Sequence, residues 1–128
     1  MKRVYVVAEG PTEKSFIEDV LAPVLWSRQI CLVPTILGPP GHKGGNTKYV
    51  RVKKDVLVLL KQDPTAHCTT MLDFYGLGAG WPGLPLPPNL GSHEKVSRLE
   101  TAMAAELAAE IPELRPELRF LPYLQFHE

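Results

Sequence analysis

The chain has 128 residues, 45% hydrophobic and 22% charged, with 14 Lys and Arg against 14 Asp and Glu. That length fits one domain with a real core, and zero net charge excludes a protein coated in positive charge for bulk nucleic-acid binding, though not a local basic groove. No apolar run nears the roughly 20 residues of a membrane span, and the start, Met1-Lys2-Arg3 with Glu9 soon after, lacks a signal-peptide form, so a soluble, cytoplasmic chain is expected.

Val4 to Ala8 is a β-branched and aromatic run without polar alternation, which predicts a strand buried on both faces. It stops at Glu9-Gly10-Pro11-Thr12, where Thr12 is the expected N-cap of a helix and Glu13 a favourable first-turn charge. Phe16, Ile17, Val20, Leu21, Val24 and Leu25 recur at helical spacing as its core face, with a kink or tightened last turn expected at Pro23. Ile30 to Leu37 reads as a second strand, which Pro34 weakens or places at a sheet edge. After a Gly- and Pro-rich loop, Tyr49, Val52, Val56, Leu59 and Leu60 mark a second amphipathic helix, ended by Asp63-Pro64. His67 to Phe74 is a third strand. A long loop follows from about Tyr75 to Gly91, holding Trp81 and four of the 13 prolines. Ser92 is the expected cap of a third helix, with Val96, Leu99, Met103, Leu107 and Ile111 on its core face. Leu118 to Phe126 is a last strand, interrupted by Pro122. The order βαβαβαβ implies an α/β fold with a mainly parallel sheet and no second domain.

The even charge hides an asymmetry, since residues 1–64 carry +4 and residues 65–128 carry −4. The basic excess lies in Lys43, Lys48, Arg51, Lys53, Lys54 and Lys61. The acids Glu94, Glu100, Glu106 and Glu110 are spaced like the wet face of a helix. In parallel α/β sheets, sites form at the carboxyl ends of strands. Two acids fall there by pattern alone, Glu9 after the first strand and Asp73 near the end of the third. If those strands are neighbours, the carboxylates converge, a donor pair suited to Mg²⁺ with waters and a substrate phosphate. Each acid is equally well read as the cap of a turn or helix.

The loop from Gly38 to Lys48 brings Gly44 and Gly45, whose backbone N–H groups can approach phosphate, together with the charges of Lys43 and Lys48. It departs from a Walker A loop, and it reads equally as a plain connector. Lys48, Arg51, Lys53 and Lys54 read as a solvated helix face or as a track for a nucleic-acid backbone. His127-Glu128 read as an exposed chain end or, following the last expected strand, as neighbours of Glu9 and Asp73 at the same sheet edge. The remaining histidines lack zinc-ligand spacing, and Cys31 and Cys68, inside expected strands, read as small buried hydrophobes.

Val6-Val7-Ala8-Glu9-Gly10-Pro11-Thr12-Glu13, Lys43-Gly44-Gly45, the segment from Thr69 to Leu77, Trp81-Pro82-Gly83 and the segment from Pro122 to Glu128 together resemble a Toprim-related family of bacterial proteins of unknown function. The resemblance spans nearly the whole chain and implies a three-layer α/β domain. It also implies that the chain stops short of its relatives at the C-terminus. Toprim domains of primases, topoisomerases and nucleases place a glutamate after the first strand and an Asp-x-Asp pair after the third, holding Mg²⁺ for phosphodiester chemistry. By that resemblance Glu9 is the first acid and Asp73 the first aspartate. Tyr75 stands where the second aspartate belongs. A tyrosine is a poor Mg²⁺ ligand at neutral pH but can hydrogen-bond a metal-bound water. Glu128 is the first candidate for the missing acid and Glu13 the second.

The resulting expectation is a Mg²⁺- or Mn²⁺-dependent nuclease-like domain. Glu9, Asp73 and Glu128 are its catalytic acids, Gly10, Lys43, Gly44, Gly45 and Lys48 its phosphate contacts, and Glu13, Tyr75 and His127 its supporting residues. The resemblance further implies action on nucleic acid in defence against phage or mobile elements and an ATPase partner, while the Pro-rich loops and the short C-terminus point to a homodimer. The alternative from another class is a binding or regulatory module that keeps the acids without cleaving; a nucleotide-binding regulator lacks any base- or ribose-recognition signature.

Overall fold

A computed structural model describes residues 1–38, 48–78 and 80–126. Its centre is a parallel sheet of five strands. Strand β1, Lys2–Ala8, pairs on one side with β2, Ile30–Ile36, and on the other with β3, His67–Asp73. Two short strands, β4 (Phe120–Leu121) and β5 (Leu124–Gln125), both pair with the far side of β3, so the order is β2-β1-β3 followed by β4 and β5. All pairings are parallel, which accounts for the missing polar alternation in β1: it is flanked on both sides and covered on both faces. Pro34 sits on the edge strand β2, where its missing N–H costs least.

Helix α3 (Tyr49–Gln62) and helix α4 (Ser92–Glu110) close over one face of the sheet. Every apolar position expected on their inner stripes is buried, and these side chains join Val7, Cys68, Leu72, Phe120 and Leu124 in the main core. Trp81 is only 2% exposed, and its ring lies 5.0 Å from that of Tyr49, so the proline-rich loop is pinned to the core. Gly83 allows the approach: a side chain there would come within 3.1 Å of Leu99 and 3.2 Å of Ala102.

The other face is covered by a single broken helix. Helix α1, Pro11–Phe16, passes into a π-helical turn over Ile17–Leu21 and resumes as α2, Ala22–Trp26. The widened turn, with the Ala22 N–H bonded to the Ile17 carbonyl, replaces the tightened turn that Pro23 had implied. Ile17 packs with Val6, Ala8 and Met71, and Leu21 lies partly against them. Phe16, Val20 and Val24 are exposed, contrary to the expected core face, and Trp26 is exposed as well. The apolar stripe is wider than the contact: the line 16-20-24 lies about 100° round the helix from the line through Ile17 and Leu21 that meets the sheet.

Several boundaries also differ. Helix α1 starts at Pro11, whose missing N–H is harmless in a first turn, so Gly10 and not Thr12 is its cap. Gly91 likewise precedes α4, and Ser92 is its first residue. Strand β3 stops at Asp73, before a 3₁₀ turn over Phe74–Gly76. The long last strand is instead a short helix α5, Pro116–Arg119, then β4 and β5. Pro122 has no N–H for the ladder. In the gap, the Thr70 hydroxyl donates to the Tyr123 carbonyl (2.8 Å) and accepts from the Tyr123 N–H (2.9 Å). Among the described residues, no helix is long and apolar enough to cross a membrane.

Candidate functional site

The pairing of β1 with β3 meets the condition that the two acids required. Ala8 lies opposite Met71, so Glu9 and Asp73 leave neighbouring parallel strands at the same edge. Gly76 turns the chain back toward them. A methyl group on Gly76 would sit 3.0 Å from Glu9 Oε1 and 3.9 Å from Asp73 Cβ, so both acids border one small space that only a glycine leaves open. Asp73 also caps the 3₁₀ turn, its Oδ1 accepting the Tyr75 N–H at 3.0 Å. Asp73 is therefore a turn cap, one of its two readings, at the end of the strand beside the one that leads into Glu9.

Gly10 is buried at the start of α1, and a side chain there would lie 3.7 Å from Glu13 Oε1. The Glu13 carboxylate thus turns back over the first turn of its own helix, where negative charge is favoured. Lys48 is the N-cap residue of α3. Lys43, Gly44, Gly45, His127 and Glu128 lie outside the described residues. Among the described residues, no group of three or more His, Cys, Asp or Glu that could hold a metal ion converges.

An aromatic cluster that sequence reasoning missed borders the acids. The Tyr75 ring is 5.4 Å from Phe74 and 5.1 Å from Phe126, and the two phenylalanines are 5.0 Å apart. Register explains the meeting, since Asp73 pairs with Gln125 and each aromatic follows directly. The adjacent Phe74-Tyr75-Gly76 was a visible signal, but Phe126 needed the strand pairing.

The basic stretch of α3 is partly engaged. Arg51 binds Asp55, whose other oxygen accepts the Gly38 N–H at 3.0 Å, and Lys53 pairs across to Glu106 and Glu110 on α4. Tyr49 donates to Glu106, and burial followed by that carboxylate raises its pKa above the ordinary value. Lys54 and Lys61, with Val50, Leu57 and Val58, line a cleft of about 460 Å³ on the outer side of α3; neither Glu9 nor Asp73 lines it. Burial pushes the Cys68 thiol up to about 12, so it is no nucleophile at neutral pH.

Comparison with curated proteins and with solved structures finds no match in either. Residues 8–128 match the family described as a domain of unknown function, DUF4276. That match takes in β1 from Ala8 onward, both acids and every later element, and the chain belongs to this family.

Proposed function

We propose that the chain is a Toprim-like domain that cleaves phosphodiester bonds in nucleic acid with Mg²⁺ or Mn²⁺, acting in the cytoplasm in defence against phage or mobile elements, beside an ATPase partner. The observation that carries this reading is the meeting of Glu9 and Asp73 at one edge of adjacent parallel strands. Two acids leaving adjacent strands at one edge fit a hard divalent cation that keeps several waters and takes a substrate phosphate. When bound, such an ion supplies an activated water and neutralises charge on the phosphoryl oxygens. Glu9 and Asp73 are the residues that hold it. The turn that binds Asp73 Oδ1 to the Tyr75 N–H orients the aspartate, and Gly76 leaves room for the Glu9 carboxylate. Lys48 adds positive charge for a phosphate, with Lys43, Gly44 and Gly45 of the preceding loop. Glu128 is the proposed third acid and His127 its neighbour. The free thiols Cys31 and Cys68 suit a reducing compartment.

The test is a calorimetric titration with Mg²⁺ and Mn²⁺ of the wild type, Glu9→Ala and Asp73→Ala, followed by cleavage assays on labelled DNA and RNA. Saturable binding, lost together with cleavage in both variants, is expected. Wild-type protein that binds neither ion sinks the metal reading. A second reading, a non-catalytic module that binds nucleic acid or a protein partner, is favoured by Tyr75 at the second-aspartate position. Under it, strand binding survives Glu9→Ala and no cleavage is seen with either ion.

A further inference from the structure

Among the described residues Phe16, Trp26, Tyr75 and Tyr123 are the exposed aromatics, and Tyr75 is the most exposed of them. Trp81 and Tyr49 are buried, whereas Tyr75 is 64% exposed at the end of a central strand. Its ring is nevertheless held. The Tyr75 N–H is tied to Asp73 Oδ1, and Phe74 meets the ring edge-on at 83° while Phe126 meets it at a tilt of 54°. A ring fixed by neighbours yet left in water has already lost its conformational freedom, so a ligand that covers it does not bear that ordering cost. The backbone that holds it is held in turn by Asp73, one of the two acids proposed to sit beside a phosphate.

We propose that the Tyr75 ring is a stacking platform for one unpaired base of a single-stranded nucleic acid whose phosphate lies at the Glu9–Asp73 edge. The inference rests on the nucleic-acid reading above and names its substrate class. Every base has a π face, and bases stack on exposed aromatic side chains with little regard to sequence. In a duplex those faces are already covered by neighbouring base pairs, so the platform selects single strands. The role also gives a use to a side chain that cannot replace the second aspartate as a metal ligand.

The experiment is fluorescence anisotropy of a labelled short single-stranded oligonucleotide with the full chain in Ca²⁺, an oxygen-seeking cation that can bridge the acids and the phosphate, using wild type, Tyr75→Phe and Tyr75→Ala. Each protein is also titrated with oligonucleotides carrying a single abasic site at successive positions. Tyr75→Ala is expected to weaken binding about tenfold. Tyr75→Phe keeps the ring and should stay within about twofold of wild type. One abasic position should cost the wild type a similar factor and cost Tyr75→Ala nothing further, because both changes remove the same contact. Equal losses in the Phe and Ala variants, an abasic penalty that persists in Tyr75→Ala, tighter binding of duplex, or no wild-type binding each overturn the proposal. A free nucleotide carries the same base and phosphate, so affinity no greater for a strand than for a mononucleotide also overturns it. Mg²⁺ calorimetry on the same proteins without oligonucleotide separates the two readings. Tyr75→Ala that binds the ion like wild type but binds strands no worse leaves the acid pair standing and removes only the platform.

Discussion

Gly76 is where a single hydrogen atom decides the geometry of the proposed site. A Cβ at that position meets Glu9 Oε1 at 3.0 Å, closer than ordinary packing allows, but the atom it meets is the far end of a flexible side chain. Gly76→Ala should therefore leave the fold within about 1 kcal/mol of wild type while moving the Glu9 carboxylate off its position. About a tenfold weaker Mg²⁺ affinity at near-unchanged denaturant midpoint is expected, read by calorimetry and urea melts on one preparation. Unchanged affinity would mean that Glu9 does not hold the ion from where it now stands. Cys68 shows the opposite case, a reactive residue type made inert by burial in β3.

The last strand shows what a proline does to an element and how side chains make good the gap. Around Pro122 the ladder is replaced by side chains: Thr69 Oγ1 donates to the Leu121 carbonyl, Thr70 bridges both backbone groups of Tyr123, and Glu100 on α4 accepts the Leu124 N–H at 2.8 Å. Thr70→Val keeps the shape of a buried residue but leaves the Tyr123 N–H and C=O without that hydroxyl. A loss of about 1–3 kcal/mol is expected in chemical denaturation, larger than for a Thr→Val change on the surface. A neutral result would show that water supplies the Tyr123 groups equally well. The junction between α3 and β3 is held in the same manner. The Arg119 guanidinium donates to the carbonyls of Leu60, Asp63, Ala66 and Leu114, tying the helix C-terminus to the start of the last strand.

Across the whole molecule, the basic and acidic halves of the sequence meet where Lys53 on α3 pairs with Glu106 and Glu110 on α4, while within the basic half Arg3 on β1 reaches Asp63 after α3 at 2.6 Å. Asp63 accepts from the Thr65 hydroxyl and backbone as well, and these bonds, the Thr65 hydroxyl foremost, outweigh burial to hold its pKa below the ordinary 3.8. A carboxylate with a depressed folded-state pKa contributes stability above its unfolded value and loses it as pH falls through the folded one. The denaturant midpoint should thus drop as pH is lowered below 3.8, and Asp63→Asn should flatten that part of the profile. A profile unchanged by the substitution would remove Asp63 from the acid response. The two sheet faces are unequally covered. Leu121 and Tyr123, next to the buried Phe120 and Leu124, are both exposed.

Local pattern determined a large part of this protein. The stripes of α3 and α4 were legible because a helix buries residues by a period that the sequence itself carries, and β1 because a strand covered on both faces needs an unbroken apolar run. The edge position of Pro34 and the placing of Glu9 and Asp73 at strand ends followed from the same local rules. Only tertiary structure decided that β1 and β3 are neighbours, which turns two separate acids into a pair, because strand order depends on contacts between segments about sixty residues apart. It also decided that one line of apolar residues on α1 and α2 faces water, since periodicity gives the width of a stripe but not how much of it the sheet can reach. The ring contacts that hold Tyr75 beside Asp73 belong to this second kind. They come from pairing β5 with β3, a non-local choice that no window of sequence contains.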